Sequence, residues 1–327
     1  MEMFGAASGS RDRLQGAGMA QDWSGIEVDW SAFAPWQVQP VRHRLMAHPL
    51  LQRDALIALG KRLEQRHSVR THSNQVTAGT PFNDAPGLHP NRAGAAATLG
   101  DLAHAEAWMS LLNVQGDRLY RTLVDAVLDG VAPRIAQRDP GMGYRAGWIF
   151  LTSPHTVTPF HYDKEHNFIL QVQGRKTLYV WDKQDTEAAS EASRDLFHAT
   201  HSRDRLQWRE SLRERAHVFH LEPGMGAYMP STSPHLVENG DEPSVTISFT
   251  YYTDATRRDA LLHRAHERVR GWGVEPPPVG RNAVLDAALL AGFRAAGVLR
   301  HWQARLGGGL PPRSDRVAYA PAPRVPS

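Results

Sequence analysis

His161, Asp163 and, far downstream, His235 are the residues of this chain whose types and spacing could do metal chemistry. Side chains on an extended strand alternate with period two, so a histidine and an aspartate two apart share one face. A second strand must bring His235 to them. Two neutral imidazoles and one carboxylate take one face of an octahedral ion and leave three positions open, which suits non-haem Fe(II) oxygenases. An HxD pair alone is a weak signal in a chain with 17 histidines, so the reading depends on its surroundings.

Those surroundings are ordered. His161 is followed by Asp163, Asn167 and Gly174, and Gly224 by Pro230, His235 and Asn239. The two runs resemble the halves of the cupin motif, a small antiparallel barrel with a metal at its mouth. Where many cupins place a glutamate ligand this chain has the amide of Asn167, which favours three ligands over four. The strings TVTPFHYDKEHNFILQVQGRKTLYV (156–180), LEPGMGAYMPSTSPHLVENG and VTISFTYY resemble the JmjC-type hydroxylases more closely still. Within that family they resemble the asparaginyl hydroxylase that inhibits hypoxia-inducible factor, over residues 145–254.

The resemblance implies Fe(II) on His161, Asp163 and His235 as the catalytic centre, with 2-oxoglutarate as cosubstrate. It implies that Thr158 and Lys176 hold the distal carboxylate of 2-oxoglutarate, and that Asn167 lines the same pocket. A carboxylate buried without a partner is costly, so such a pocket needs a cation like Lys176. One position departs from the pattern: Ser248 stands where that hydroxylase has an asparagine in its last core strand.

The elements that must position these residues are mainly β, with flanking helices. The expected fold is a double-stranded β-helix (cupin or jelly-roll) barrel. Apolar spacing predicts a helix over 49–66, an extended stretch over 68–79 and a loop over 81–94. Two more helices follow, over 101–114 and 117–135, with Asp101 and Asp117 in cap positions. From Arg145 the period falls to two, and RAGWIFLT, FILQVQ, KTLYVW, HVFHL, AYMP and SVTISFTYY read as strands. Gly174-Arg175 suits a two-residue hairpin turn. A charged insert over 183–216 lacks strand alternation and stands where a lid would be expected.

Beyond Asp254 two helices are predicted, and the second, over 282–306, is apolar nearly all round. It must be buried against its own barrel or, like the C-terminal helices of the asparaginyl hydroxylase, against a second copy; its excess apolar surface favours a homodimer. The expected organisation is a disordered segment 1–18, a helical region 19–140 packing on the barrel, a catalytic barrel 141–254, C-terminal helices 255–306 and a disordered tail 307–327. Met19 is an alternative start.

Composition narrows the function. With 327 residues and 41% hydrophobic content the chain can bury a sizeable core. It has no cysteine, which excludes disulfides, zinc–thiolate sites and thiol nucleophiles. No run reaches the length of a membrane span and no signal peptide is present, so a cytoplasmic protein is expected. The formal charge is +3, and the arginines between 203 and 215 alternate with Asp204, Glu210 and Glu214, a solvated face rather than a nucleic-acid surface. There is no GxSxG elbow and no glycine-rich phosphate loop. His155 and His166 read as loop histidines beside the HxD, and His198 and His201 as a short pair without a periodic element. The leading function is hydroxylation of an amino-acid residue in a peptide or protein. The alternatives are the same chemistry on a small molecule and a non-catalytic cupin-type binding or regulatory protein, which has no need for both the triad and Lys176.

Overall fold

A computed structural model describes residues 25–306, with side chains in the last helix described to Phe293 and at Ala295. The expected disordered ends, 1–18 and 307–327, lie outside the described residues. The first half runs β1 (Ile26–Glu27), β2 (Gln39–His43), α1 (Arg53–Glu64), β3 (Val69–Ser73), α2 (Ala85–Leu88), α3 (Ala95–Gly100), β4 (Ala107–Leu111) and α4 (Arg118–Ala136). There follow β5 (Gly143–Thr152), β6 (Val157–His161), β7 (His166–Gln173), β8 (Lys176–Val180), α5 (Glu191–Thr200), β9 (His217–Leu221) and β10 (Met225–Met229). The last elements are β11 (His235–Asn239), β12 (Ser244–Tyr252), α6 (Asp254–Arg270) and α7 (Ala283–Leu306). No helix among the described residues is long and apolar enough to cross a membrane.

The strands form two antiparallel sheets, ordered β1-β2-β10-β7-β12-β5-β4-β3 and β6-β11-β8-β9. They face each other as the jelly-roll of a cupin. Ile169, Ala227 and Met229 of the large sheet meet Leu178, Val180, Leu221 and Val237 of the small one. The outer face of the large sheet carries Ile149, Phe168, Leu170, Ile247 and Phe249, which pack with helix α4. That helix offers one stripe for the purpose: Tyr120, Leu123, Val124, Val127, Leu128, Val131 and Ile135 are all buried at spacings of three and four. Burying each such side chain contributes about 1.5–3 kcal/mol. Asp117 caps the helix, accepting from Leu119 N–H at 3.1 Å. Gly147 on β5 permits the close approach, since a Cβ there would lie 2.7 Å from Val124 Cγ2.

On β12, Val245, Ile247, Phe249 and Tyr251 point to the helices, as the alternation predicts. The polar residues between them, Thr246, Ser248 and Thr250, are equally buried, because their face is the barrel interior.

The helix expected over 101–114 is instead the strand β4. All five of its residues are buried, and a strand covered on both faces reads as an apolar run without alternation. Glu106, at φ 49°, breaks any helix there, and Asp101 ends α3 rather than capping a new one. Residues 19–140 are therefore not simply helical: β1 and β2 extend one edge of the large sheet, and β4 and β3 the other. The loop over 81–94 contains the short helix α2, and the insert contains α5 and a 3-10 stretch, Glu210–Arg215.

Gly174-Arg175 is not a hairpin turn. Strand β7 pairs with β10 and β12, whereas β8 pairs with β9 and β11, so the chain passes from one sheet to the other at this point. Gly174 adopts φ +72°, and an added Cβ would collide with the carbonyl oxygen of Pro243. Only glycine fits such a crossing without strain.

Candidate metal centre and the pocket beside it

Strands β6 and β11 are neighbours, and their register sets His161 directly opposite His235. Asp163 lies two residues past the end of β6, off the strand on which the sequence placed it. The three side chains converge: Asp163 Oδ2 is 3.8 Å from His161 Nε2 and 3.8 Å from His235 Nε2. Both rings are oriented alike. His161 Nδ1 lies 2.7 Å from the carbonyl of Pro159 and His235 Nδ1 3.2 Å from that of Ser233. A carbonyl only accepts, so each Nδ1 carries the proton and each Nε2 keeps a lone pair for an ion. Burial pushes the pKa of both imidazoles down, His161 well below the usual range, and so keeps them in the neutral form that a ligand requires.

The spacing of Thr158 to His161 follows from an irregularity in the ladder. Three residues apart, they would face opposite sides of an ideal strand. The β6–β11 register shifts between His235 and Val237, because Val237 pairs with Thr158 and His235 with His161. This bulge turns both Thr158 and His161 inward, while Phe160 packs outside with Trp181 and Leu236.

Two site residues depart from the sequence reading, which gave Phe82 no role and placed Arg203 on a solvated face, whereas its side chain is only 15% exposed. Arg203, from the insert, donates from Nη2 to Asp163 Oδ1 at 3.1 Å and to the Tyr162 carbonyl at 2.7 Å. Its guanidinium lies over the rings of Phe82 and Phe197. Phe82 in turn stacks on His161, with centroids 3.9 Å apart and planes 8° apart. Both belong to irregular segments far from the motif in sequence, and neither carries a spacing signal.

Behind the triad the barrel interior is polar. Lys176, on β8 opposite Asn239 of β11, is buried. Burial pushes its ammonium pKa down to about 7, with no carboxylate raising it again. Thr158 Oγ1 accepts from Trp108 Nε1 at 2.8 Å, so the tryptophan of β4 braces the threonine. The inner face of the large sheet adds Ser110 Oγ, Thr152 Oγ1, Asn167 Oδ1 and Ser248 Oγ, all buried with no hydrogen-bond partner among the described residues. Buried polar groups are ordinarily satisfied. Four that are not, beside an uncompensated ammonium, form a lining that suits an anionic, oxygen-rich ligand.

The other histidines fall elsewhere. His155 is exposed in a turn. His166 is not a loop residue but is buried on β7, bonded to Asp139 Oδ2 at 3.2 Å and Tyr228 Oη at 3.0 Å. His198 and His201 do not act as a pair: His201 Nε2 meets Lys164 Nζ at 3.3 Å, whereas His198 stacks on His263 of α6. Other arginines of the insert make surface ion pairs, such as Arg209 with Glu187 and Arg215 with Asp185, whereas Arg194 is buried.

Among solved structures, the chain is similar to a ribosomal oxygenase, YcfD from Escherichia coli, in complex with cobalt and 2-oxoglutarate. Identity is 15% and the TM-score 0.44, over 86% of this chain and 71% of that one. A second structure of E. coli YcfD gives 14% identity and a TM-score of 0.43 over 86% and 72% of the two chains. The DMSP lyase DddQ from Ruegeria pomeroyi matches only 33% of this chain and 38% of its own, at 14% identity and a TM-score of 0.22. No curated protein matches the sequence. The family rests instead on the sequence pattern of the cupin-like domain, which matches residues 27–257. That span takes in β2 to β12 together with the triad and the pocket, and by it this chain belongs to the cupin-like domain family.

Proposed function

We propose that this protein is an Fe(II)- and 2-oxoglutarate-dependent oxygenase that hydroxylates an amino-acid residue of a peptide or protein. The observation that carries the reading is the meeting of His161, Asp163 and His235 beside a pocket holding the buried, uncompensated Lys176. The donor set fits the metal, for two neutral imidazoles and one carboxylate are what a facial site requires. Bound Fe(II) would supply dioxygen activation coupled to oxidation of 2-oxoglutarate, chemistry that side chains cannot supply.

The chain's own residues bind and orient. Nε2 of both histidines and Oδ2 of Asp163 would hold the ion. Lys176 would donate to the distal carboxylate of 2-oxoglutarate. The Thr158 hydroxyl, whose oxygen already accepts from Trp108, keeps its own proton to donate to the same carboxylate. Asn167 and Ser248 lie on the facing wall, and Phe82 shields His161 from water. The preference for a peptide or protein over a free small molecule rests on the resemblance to JmjC-type hydroxylases and to the asparaginyl hydroxylase. A cytoplasmic location, a lid role for the insert and a homodimer through α7 belong to the same proposal.

The test is turnover. Wild type and Asp163→Ala would be incubated with Fe(II), ascorbate and 2-oxoglutarate, with succinate quantified and a peptide panel screened by mass spectrometry for a gain of one oxygen. Succinate formation by wild type alone is expected. Equal, background-level succinate from both, in protein shown to hold iron, would sink the oxygenase reading.

A further inference from the structure

The seam between α5 and α6 is built from ionisable residues where a helix seam is ordinarily apolar. Glu191, Arg194, Asp195 and His198 line one side, and His263, His266 and Arg270 the other. Asp195 and His266 are wholly buried, and His263 nearly so.

We propose that this seam is a second metal site, separate from the triad, binding a divalent ion of the zinc class through Glu191, Asp195 and His263. One donor atom from each of the three lies within 4.8 Å of the others. Each carboxylate is anchored by an arginine on one oxygen only: Arg270 Nε is 2.7 Å from Asp195 Oδ2, and Arg194 Nη1 is 3.2 Å from Glu191 Oε1. As with Asp163 and Arg203, an arginine holds one oxygen of each carboxylate and leaves the other to the seam. Asp195 Oδ1 accepts from His263 Nδ1–H at 2.6 Å, a hydrogen bond that an ion would replace with release of that proton, and Glu191 Oε2 has no partner among the described residues.

A second observation is independent of the acidic pair. His263 Nε2 and both ring nitrogens of His266 are buried without a hydrogen-bond partner among the described residues. Imidazole and carboxylate are the donor set that suits zinc-class ions. Burial keeps His263 neutral, its pKa pushed down to about 3, as a ligand must be. Arg194 Nε and Nη2 also lack acceptors; a cation cannot satisfy them, but a water bound to it can. Within the seam Glu191 and Asp195 balance Arg194 and Arg270, so the paired groups around the ion are neutral in sum. Such an ion would pin the insert helix α5 to α6. The segment that leaves α5 carries Arg203, so the pin would also steady the residue that holds Asp163.

The inference does not rest on the oxygenase reading, and its test silences the triad. The full chain carrying Asp163→Ala and His235→Ala would be loaded with Zn(II) or Co(II) and desalted. Bound metal would then be counted by plasma mass spectrometry, with Co(II) absorption as a second readout. One equivalent is expected where wild type retains two, together with a zinc-dependent rise in Tm. Adding Glu191→Gln or His263→Gln in that background should weaken retention by about tenfold or more. Should His263→Gln fail to fold, Glu191→Gln at the partly exposed end of the seam carries the comparison, with circular dichroism reporting the fold. A folded triad-silenced chain that retains no zinc at micromolar free metal would overturn the proposal. So would retention equal in the triad-silenced parent and its Glu191→Gln derivative, the mark of adventitious binding.

Discussion

Asp163 divides its carboxylate between two parts of the chain: Oδ1 accepts from Arg203 Nη2 at 3.1 Å, and Oδ2 faces both histidine Nε2 atoms at 3.8 Å. Arg203 thereby fixes which oxygen is offered to a metal. Loss of a hydrogen-bond partner behind a ligand typically costs 10–100-fold in metal affinity. Arg203→Ala is expected to weaken Mn(II) binding by roughly that factor, read by titration with electron paramagnetic resonance. Arg203→Lys should recover only part of it, because a point charge replaces a planar fork that also stacks on Phe82 and Phe197. Unchanged affinity in the alanine variant would mean that Asp163 is positioned by other contacts.

Lys176 should show opposite effects on stability and on ligand binding. A buried cation without a partner destabilises the unliganded fold. Lys176→Met keeps the length of the side chain and removes the charge, and is expected to raise stability toward urea by on the order of 1 kcal/mol or more. The same variant should lose most of its affinity for 2-oxoglutarate, measured by calorimetry on the Mn(II)-loaded protein. A variant that is destabilised yet binds 2-oxoglutarate normally would show that another cation receives the carboxylate.

The pH dependence follows from the same residue. Burial depresses the Lys176 pKa from 10.5 to about 7 in the unliganded protein. Between those values the unfolded chain holds the proton and the folded one does not, so Lys176 makes the unliganded fold gain stability as pH rises through that window. A bound carboxylate restores the ammonium, so binding takes up a proton above about pH 7. The Kd for 2-oxoglutarate should therefore rise by up to about tenfold per pH unit on the alkaline side. Lys176→Met should flatten that slope. Equal slopes in the two proteins would assign the titration to another group.

The triad was legible in the sequence because ligand chemistry restricts residue types so strongly that their spacing stands out. The strands β5, β7, β8 and β12 were legible because each buries its two faces in different surroundings. Strand β4 was not, since Trp108, Met109 and Ser110 are buried alike and carry no period. The passage at Gly174 was also hidden: a glycine with positive φ serves a tight turn and a change of sheet equally well, and only the pairing partners of β7 and β8 tell them apart. Arg203 and Phe82 act through position alone, brought to His161 and Asp163 by segments whose paths no local pattern records.

The passage at Gly174 gives a stability prediction. Alanine there would take a left-handed backbone, at a cost of about 1–2 kcal/mol, and would also press its Cβ against Pro243. Gly174→Ala is expected to lower the urea midpoint by more than the backbone term alone, whereas Gly100→Ala, where a Cβ meets nothing within 4 Å, should not destabilise. A Gly174→Ala protein as stable as wild type would contradict the strain assigned to this crossing.

The proposed homodimer is tested at helix α7. Its described inner face is set against α6: Leu290 is buried, Asp286 lies 3.5 Å from Arg258, and Phe293 lies under the guanidinium of Arg268. Of the apolar residues that favour a homodimer, Val284 is 81% exposed, Ala288 is exposed, and Leu285 and Leu289 are half-buried. The side chains of Ala296, Val298, Leu299 and Trp302 lie outside the described residues. Trp272, 80% exposed, and Val274 add apolar surface in the segment that leads to α7. Monomers seldom leave such surface in water, and a symmetric contact between two copies would cover it. Light scattering at micromolar concentration is expected to give twice the 36.4 kDa chain mass, and Val284→Asp to halve it without loss of secondary structure. A wild-type mass of one chain, unchanged in the variant, would show that α7 serves its own barrel alone.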